Sequence, residues 1–275
     1  MPELDENEIM AKLAANPRDP DALCNLGLLR YNQGNLDEAE ARWKEAVAAD
    51  PNHGRSLYDL GFLYYSQGRY EESAGYYRRA IAIKPDWCEA HCNLGITLHK
   101  LGRTEEAEAE YREAARLNPD DGLTHFNFGI LLEESGRRAE AEREYHEALR
   151  VEPANTSYLF NLAVCLYNAS RYAEALAIFR KITEIDPSDA QAAERLQIVL
   201  LDLARYAEGE KIYREAVTKN PDDPEARWSL AFELRNLGRY DEARQEVLRA
   251  IELFQNQGNA DGVDRGKQLL SEIPG

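Results

Sequence analysis

Prolines recur at Pro17, Pro51, Pro85, Pro119, Pro153, Pro187 and Pro221, each 34 residues after the one before. A fixed period of this length restricts the chain to like supersecondary units in series, each burying its apolar face on its neighbours. With Pro51 at position 32 of a unit, units begin at residues 20, 54, 88, 122, 156, 190 and 224, and further columns come into line. Position 7 reads Leu26, Leu60, Leu94, Phe128, Leu162, Leu196 and Leu230. Position 8 is small (Gly27, Gly61, Gly95, Gly129, Ala163, Ala231) except at Gln197, and position 20 is small throughout, from Ala39 to Ala243. Position 24 is a ring in six units, from Trp43 to Tyr213, and Val247 in the seventh.

Positions 4, 7, 8 and 11 share one stripe of a first helix, and positions 20, 24 and 27 share one stripe of a second. Gly34, Gly68, Gly102, Gly136 and Gly238 fall between the two stripes, where a chain leaving a helix adopts positive φ. The repeat proline ends the second helix and redirects the chain. Small residues at 8 and 20 predict close approach of two antiparallel helices, with the position-24 ring filling the gap to the following unit. Each helix is expected to run about 14 residues, about 20 Å. Repeat six departs: Gln197 takes a small-residue position and Gly209 stands where Ala is usual, which reads as a compensating size swap across its helix pair.

These columns resemble the tetratricopeptide repeat (TPR). The resemblance covers residues 20–257 and implies an all-α solenoid of about seven helix-turn-helix units (20–53, 54–87, 88–121, 122–155, 156–189, 190–223, 224–257) in a right-handed superhelix with a concave groove. Residues 1–19 are expected to supply an N-terminal cap helix and residues 258–275 a C-terminal one, closed by Leu269, Leu270 and Ile273.

In that architecture positions 2, 5, 6, 9, 12 and 13 face the groove. Position 6 carries Asn25, Asn93, Asn127 and Asn161, with Asp59, Arg195 and Ser229 in the other units. Asn is a mediocre helix former, but its amide both donates and accepts, so a column of them can pair with the backbone of an extended peptide. The column resembles the asparagine ladder in the TPR superhelix of O-linked N-acetylglucosamine transferases; the bland reading is an Asn that bonds only within its own repeat. Tyr58, Phe126, Phe160 and Trp228 at position 5 and Tyr167 at position 12 add rings beside those anchors, the usual composition of binding hot spots. A carboxylate clamp of the kind chaperone co-factors use is incomplete, because only Asn161 and Arg195 match while Phe126 and Gln191 stand in the lysine places.

The other chemistry is thin. Cys88, His91 and Cys92 share a helix face with zinc-like spacing, and His125 follows His91 by one repeat, but both histidines sit in a packing column. No phosphate loop or nucleophile motif is present, so no enzyme, no cofactor and no metal are expected. With 50 Asp+Glu against 33 Lys+Arg and a net charge of −17, nucleic acid is an unsuitable partner. A hydrophobic content of 44% is enough for a core, yet no run approaches the roughly 20 apolar residues that insertion into a membrane needs. Four cysteines and an acidic start without the parts of a secretory leader suggest a reducing, cytoplasmic setting. The function expected is a protein-interaction adaptor holding a neutral to mildly basic extended segment. The alternatives are a self-associating scaffold and a regulatory subunit of an enzyme or secretion machine.

Overall fold

A computed structural model describes residues 6–274, so residues 1–5 of the expected N-terminal cap lie outside it. The described residues form fifteen α-helices and no strand. A first helix, α1 (Glu6–Ala15), precedes five pairs that follow the repeat: α2 (Pro20–Asn32) with α3 (Leu36–Ala49), α4 (Gly54–Ser66) with α5 (Tyr70–Ile83), α6 (Cys88–Lys100) with α7 (Thr104–Leu117), α8 (Gly122–Glu134) followed by α9 (Arg138–Val151), and α10 (Thr156–Asn168) with α11 (Tyr172–Ile185). Then come one long helix, α12 (Ala190–Lys219), the pair α13 (Pro224–Asn236) and α14 (Tyr240–Asn256), and a closing α15 (Ala260–Ser271). The chain divides into two compact units, Met1–Ser135 and Gly136–Gly275.

Within the first unit the small-residue columns act as the sequence suggests, with one adjustment. The position-24 ring lies against position 8 of its own repeat: a Cβ on Gly27, Gly61 or Gly95 would stand 2.6, 2.9 or 2.8 Å from Trp43, Tyr77 or Tyr111. It reaches the next repeat as well, Trp43 joining a buried cluster with Leu60, Leu63 and Tyr64. Ser73 at position 20 donates to the Gly61 carbonyl at 2.7 Å, so the column is small because backbone lies on it. The turns need a left-handed residue, and Gly34, Gly68, Gly102, Gly136 and Gly238 supply it, joined by Ser170 at φ 61.

Repeat six is not a hairpin. Its turn position holds Ala204, and α12 runs through it for 30 residues, about 45 Å. α12 packs on both α11 and α13. Tyr206, at its middle, stacks on Tyr172 (5.2 Å) and meets Phe232 edge-on (6.4 Å). Repeats five and seven therefore touch directly, Tyr240 Oη donating to Glu174 at 3.0 Å. The expected size swap does not occur, because Gln197 is exposed and Gly209 faces Glu233 of α13.

The terminal helices α1 and α15 flank the repeats. Ile9 of α1 is buried, and α15 seals the end through Leu269 and Ile273, with Leu270 half-buried. Arg235 pairs with Glu272, and Arg244 donates to the Pro274 carbonyl at 2.5 Å.

Candidate functional site

The groove columns sit on the first helix of each pair, and the two units present them separately. In the first unit, Asn25 is half-buried on α2 and its side chain makes no hydrogen bond among the described residues. Asn93 on α6 donates to Tyr58 Oη at 2.7 Å, and the Tyr58 ring stacks on Trp87 at 4.7 Å. Burial pushes the Tyr58 phenol up to about 12, so it stays protonated. One repeat's anchor is thus held by the preceding repeat's ring. Asn127 on α8 turns back on its own helix, donating to the Leu123 carbonyl at 2.8 Å, while Phe126 beside it is half-buried.

The second unit repeats this arrangement. Asn161 on α10 donates to the Ser157 carbonyl at 2.9 Å. With Phe160, Thr156, Ser157, Asp189 and Gln191 it borders a cleft of about 180 Å³. Phe160 meets Phe179 edge-on at 5.6 Å, so one side of its ring belongs to the core. Tyr167 donates to Asp202 at 2.7 Å, and that bond, with burial, raises its phenol to about 12. Arg195 is exposed and its side chain makes no hydrogen bond or ion pair among the described residues. Trp228 stacks on Phe232 at 5.9 Å beneath the Arg265 guanidinium, with its indole nitrogen buried and unpartnered. Arg235, at position 12 of repeat seven, is buried and paired with Glu272 beyond α15.

Each amide of Asn127 and Asn161 spends one N–H on the carbonyl four residues earlier, a bond Asn makes readily on a helix. The second N–H and the oxygen stay available, so the column keeps a donor and an acceptor per rung. Acidic residues on these faces have local partners: Asp59 is buried against Arg55 (3.1 Å), Asp21 lies 3.1 Å from His53 Nε2 and Glu225 pairs with Arg265 (2.6 Å).

Cys88, His91, Cys92 and His125 have structural duties. His91 and His125 place Nε2 on the carbonyls of Pro85 (3.0 Å) and Pro119 (3.1 Å), and Arg227 donates from Nε to the Pro221 carbonyl at 2.7 Å. Position 4, when polar, thus caps the proline turn before it, a role the leucines in that column conceal from a sequence reading. Burial raises the Cys88 thiol to about 11 and the Cys92 thiol to about 12, which disfavours the thiolate a metal or a nucleophilic role requires. No His, Cys, Asp and Glu grouping suited to a metal occurs among the described residues. None of the described helices is long and apolar enough to cross a membrane.

Models of the tetratricopeptide repeat match residues 13–43, 24–86 and 126–190, residues 88–121, and residues 200–263. No curated protein sequence matches the chain. Among solved structures, YrrB, described as a TPR protein with an unusual peptide-binding site, is 22% identical with a TM-score of 0.59, over 69% of this chain and 97% of its own. PilF of Pseudomonas aeruginosa is 18% identical with a TM-score of 0.57, over 92% of this chain and 99% of its own. MamA is 20% identical with a TM-score of 0.56, over 60% and 96%. At these identities the likeness is one of fold. Paired helices, glycine turns and capping columns on one 34-residue period agree with the repeat models over most of the sequence, and the chain belongs to the tetratricopeptide repeat family.

Proposed function

We propose that the chain is a non-catalytic adaptor that holds an extended segment of a partner protein along the first-helix faces of its repeats, in the cytoplasm. The observation that carries this reading is the position-6 column. Asn25, Asn93, Asn127 and Asn161 recur at one register, half-buried, and Asn127 and Asn161 keep an amide oxygen and one N–H uncommitted. Phe126 and Phe160 stand one residue before Asn127 and Asn161, so each of these repeats sets a backbone-pairing group beside an apolar ring. Polar and aromatic groups so placed suit an extended strand whose amides pair and whose alternate side chains enter pockets. A peptide-binding site is described for the structurally similar YrrB, which is consistent with this use of the fold. With Arg195 as an unpaired cation and more acidic than basic residues on the columns, a neutral to mildly basic segment fits best.

The test is a peptide library selected on the full-length protein, followed by affinity measurement with the selected peptide. Replacing Asn127 and Asn161 together by Ala is expected to weaken binding by about 1 kcal/mol per lost pair, about fivefold each. Arg143→Ala, on the exposed face of second helix α9, is expected to leave affinity unchanged. Unchanged affinity in the double variant, or an equal loss in both, contradicts the reading.

A further inference from the structure

We propose that a cavity between α12 and α13 binds a lysine side chain of a partner protein, with the Glu233 carboxylate as its anchor. Glu233 breaks a packing column. At position 10 the other repeats place Leu63, Thr97, Leu131, Cys165 and Val199, all 0–2% exposed, and Leu29, which is half-buried. A second departure lies opposite it. Position 20 meets position 10 of the following repeat, as Ser73 and Thr97 show at 3.4 Å. Repeat six alone carries glycine at position 20. A Cβ on Gly209 would stand 2.6 Å from Glu233 Oε1, so the missing methyl makes room for the carboxylate.

The cavity exists because repeat six has no hairpin. In the first three repeats the position-24 ring lies against position 8 of its own first helix. Tyr213, the ring at that position in repeat six, has no such helix on it and is only half-buried. The space left is about 620 Å³. Gly209, Ile212 and Tyr213, three and four residues apart on one face of α12, form one wall, and Phe232 and Glu233 of α13 form another. Ile212 is 56% exposed, so the cavity opens to the surface.

The carboxylate in this cavity is short of partners. Glu233 Oε2 is buried without a hydrogen-bond partner. Burial pushes the carboxyl up, and the Arg205 charge only partly opposes this. Arg205 is engaged elsewhere, 3.6 Å from Asp202 and over the Tyr206 ring at 4.9 Å. Exposed Glu208 adds a second negative charge to the lining. A desolvated acceptor without a donor costs free energy that a ligand's donor recovers, the more so when the acceptor is charged. Lysine suits each part: its four-carbon stem lies along Ile212, Tyr213 and Phe232, and its ammonium, a compact point donor, meets the carboxylate. A guanidinium fork suits it less, because two parallel bonds need both oxygens open and Oε2 is buried.

The experiment titrates the full chain with acetyl-Gly-Lys-Gly-amide, followed by nuclear magnetic resonance, beside the same peptide with norleucine or arginine in place of lysine, and beside butylammonium. The lysine peptide is expected to saturate and to bind about tenfold more tightly than the norleucine peptide. Glu233→Gln is expected to abolish that preference with helicity unchanged by circular dichroism. A variant that merely misfolds weakens both peptides alike, so the preference reports the carboxylate itself. Tyr213→Leu, which keeps the wall apolar but removes the ring, is expected to weaken the lysine peptide about threefold. No saturable binding of the lysine peptide, equal binding of the norleucine or arginine peptide, or a preference that survives Glu233→Gln overturns the proposal. Saturation by butylammonium without binding of the lysine peptide also overturns it and assigns the cavity to a free amine. The cavity lies off the asparagine column, so this preference and the affinity of a library-selected peptide succeed or fail separately.

Discussion

Trp43→Ala is expected to destabilise the first unit by about 4 kcal/mol, the range found for emptying a large aromatic site in a core. Trp43 is 1% exposed, covers Gly27 at its closest approach and donates from its indole nitrogen to the Cys24 carbonyl at 3.1 Å. It also spans two repeats through Leu60, Leu63 and Tyr64. In a stacked array each repeat depends on its neighbour's interface, so the loss extends into α4. Urea unfolding read by circular dichroism, with hydrogen exchange assigning the change to residues of the first unit, checks this. A shift below about 1 kcal/mol contradicts the account of the column.

The second large effect comes from adding atoms. Gly95→Leu places a Cβ where Tyr111 ring atoms lie 2.8 Å away, and Tyr111 is itself wholly buried. Neither helix can yield without separating α6 from α7, and the expected cost is about 3 kcal/mol, the upper end for overpacking. Gly75→Ala is the contrast. Gly75 lies on α5 with nothing within 4 Å of the added carbon, so the gain in helix propensity is about 1 kcal/mol in the stabilising direction. Opposite signs for two glycines in the same fold, read from urea midpoints, separate close packing from backbone freedom.

The hairpins were legible because each depends on a column: Gly95 and Tyr111 touch in space and recur in sequence, so periodicity carries the contact. Repeat six was legible as a departure but not as a continuous helix. Its anomaly was visible at Gln197, while the decisive residue, Ala204, is an unremarkable helix former whose meaning lies in the Gly or Ser at the same position elsewhere. The pairing of Gln197 with Gly209 failed for the same reason, since it assumed a turn that Ala204 does not make. Within the site, the position of the asparagines was legible and their local bonds were not. Whether Asn161 turns to the Ser157 carbonyl or Asn93 to Tyr58 depends on the neighbouring repeat's side chains, which no column describes. His91 and His125 looked like ligands by spacing, and only the fold brings the Pro85 and Pro119 carbonyls to them.

Hydrogen exchange of the full-length protein, free and saturated with a library-selected peptide, tests the functional account most directly. Protection is expected along the first helices that carry the asparagines, α2, α6, α8 and α10, with α3, α5, α7, α9 and α11 unchanged. Protection confined to the second helices would show that the partner binds the opposite face, and the asparagine column would then have no part in recognition.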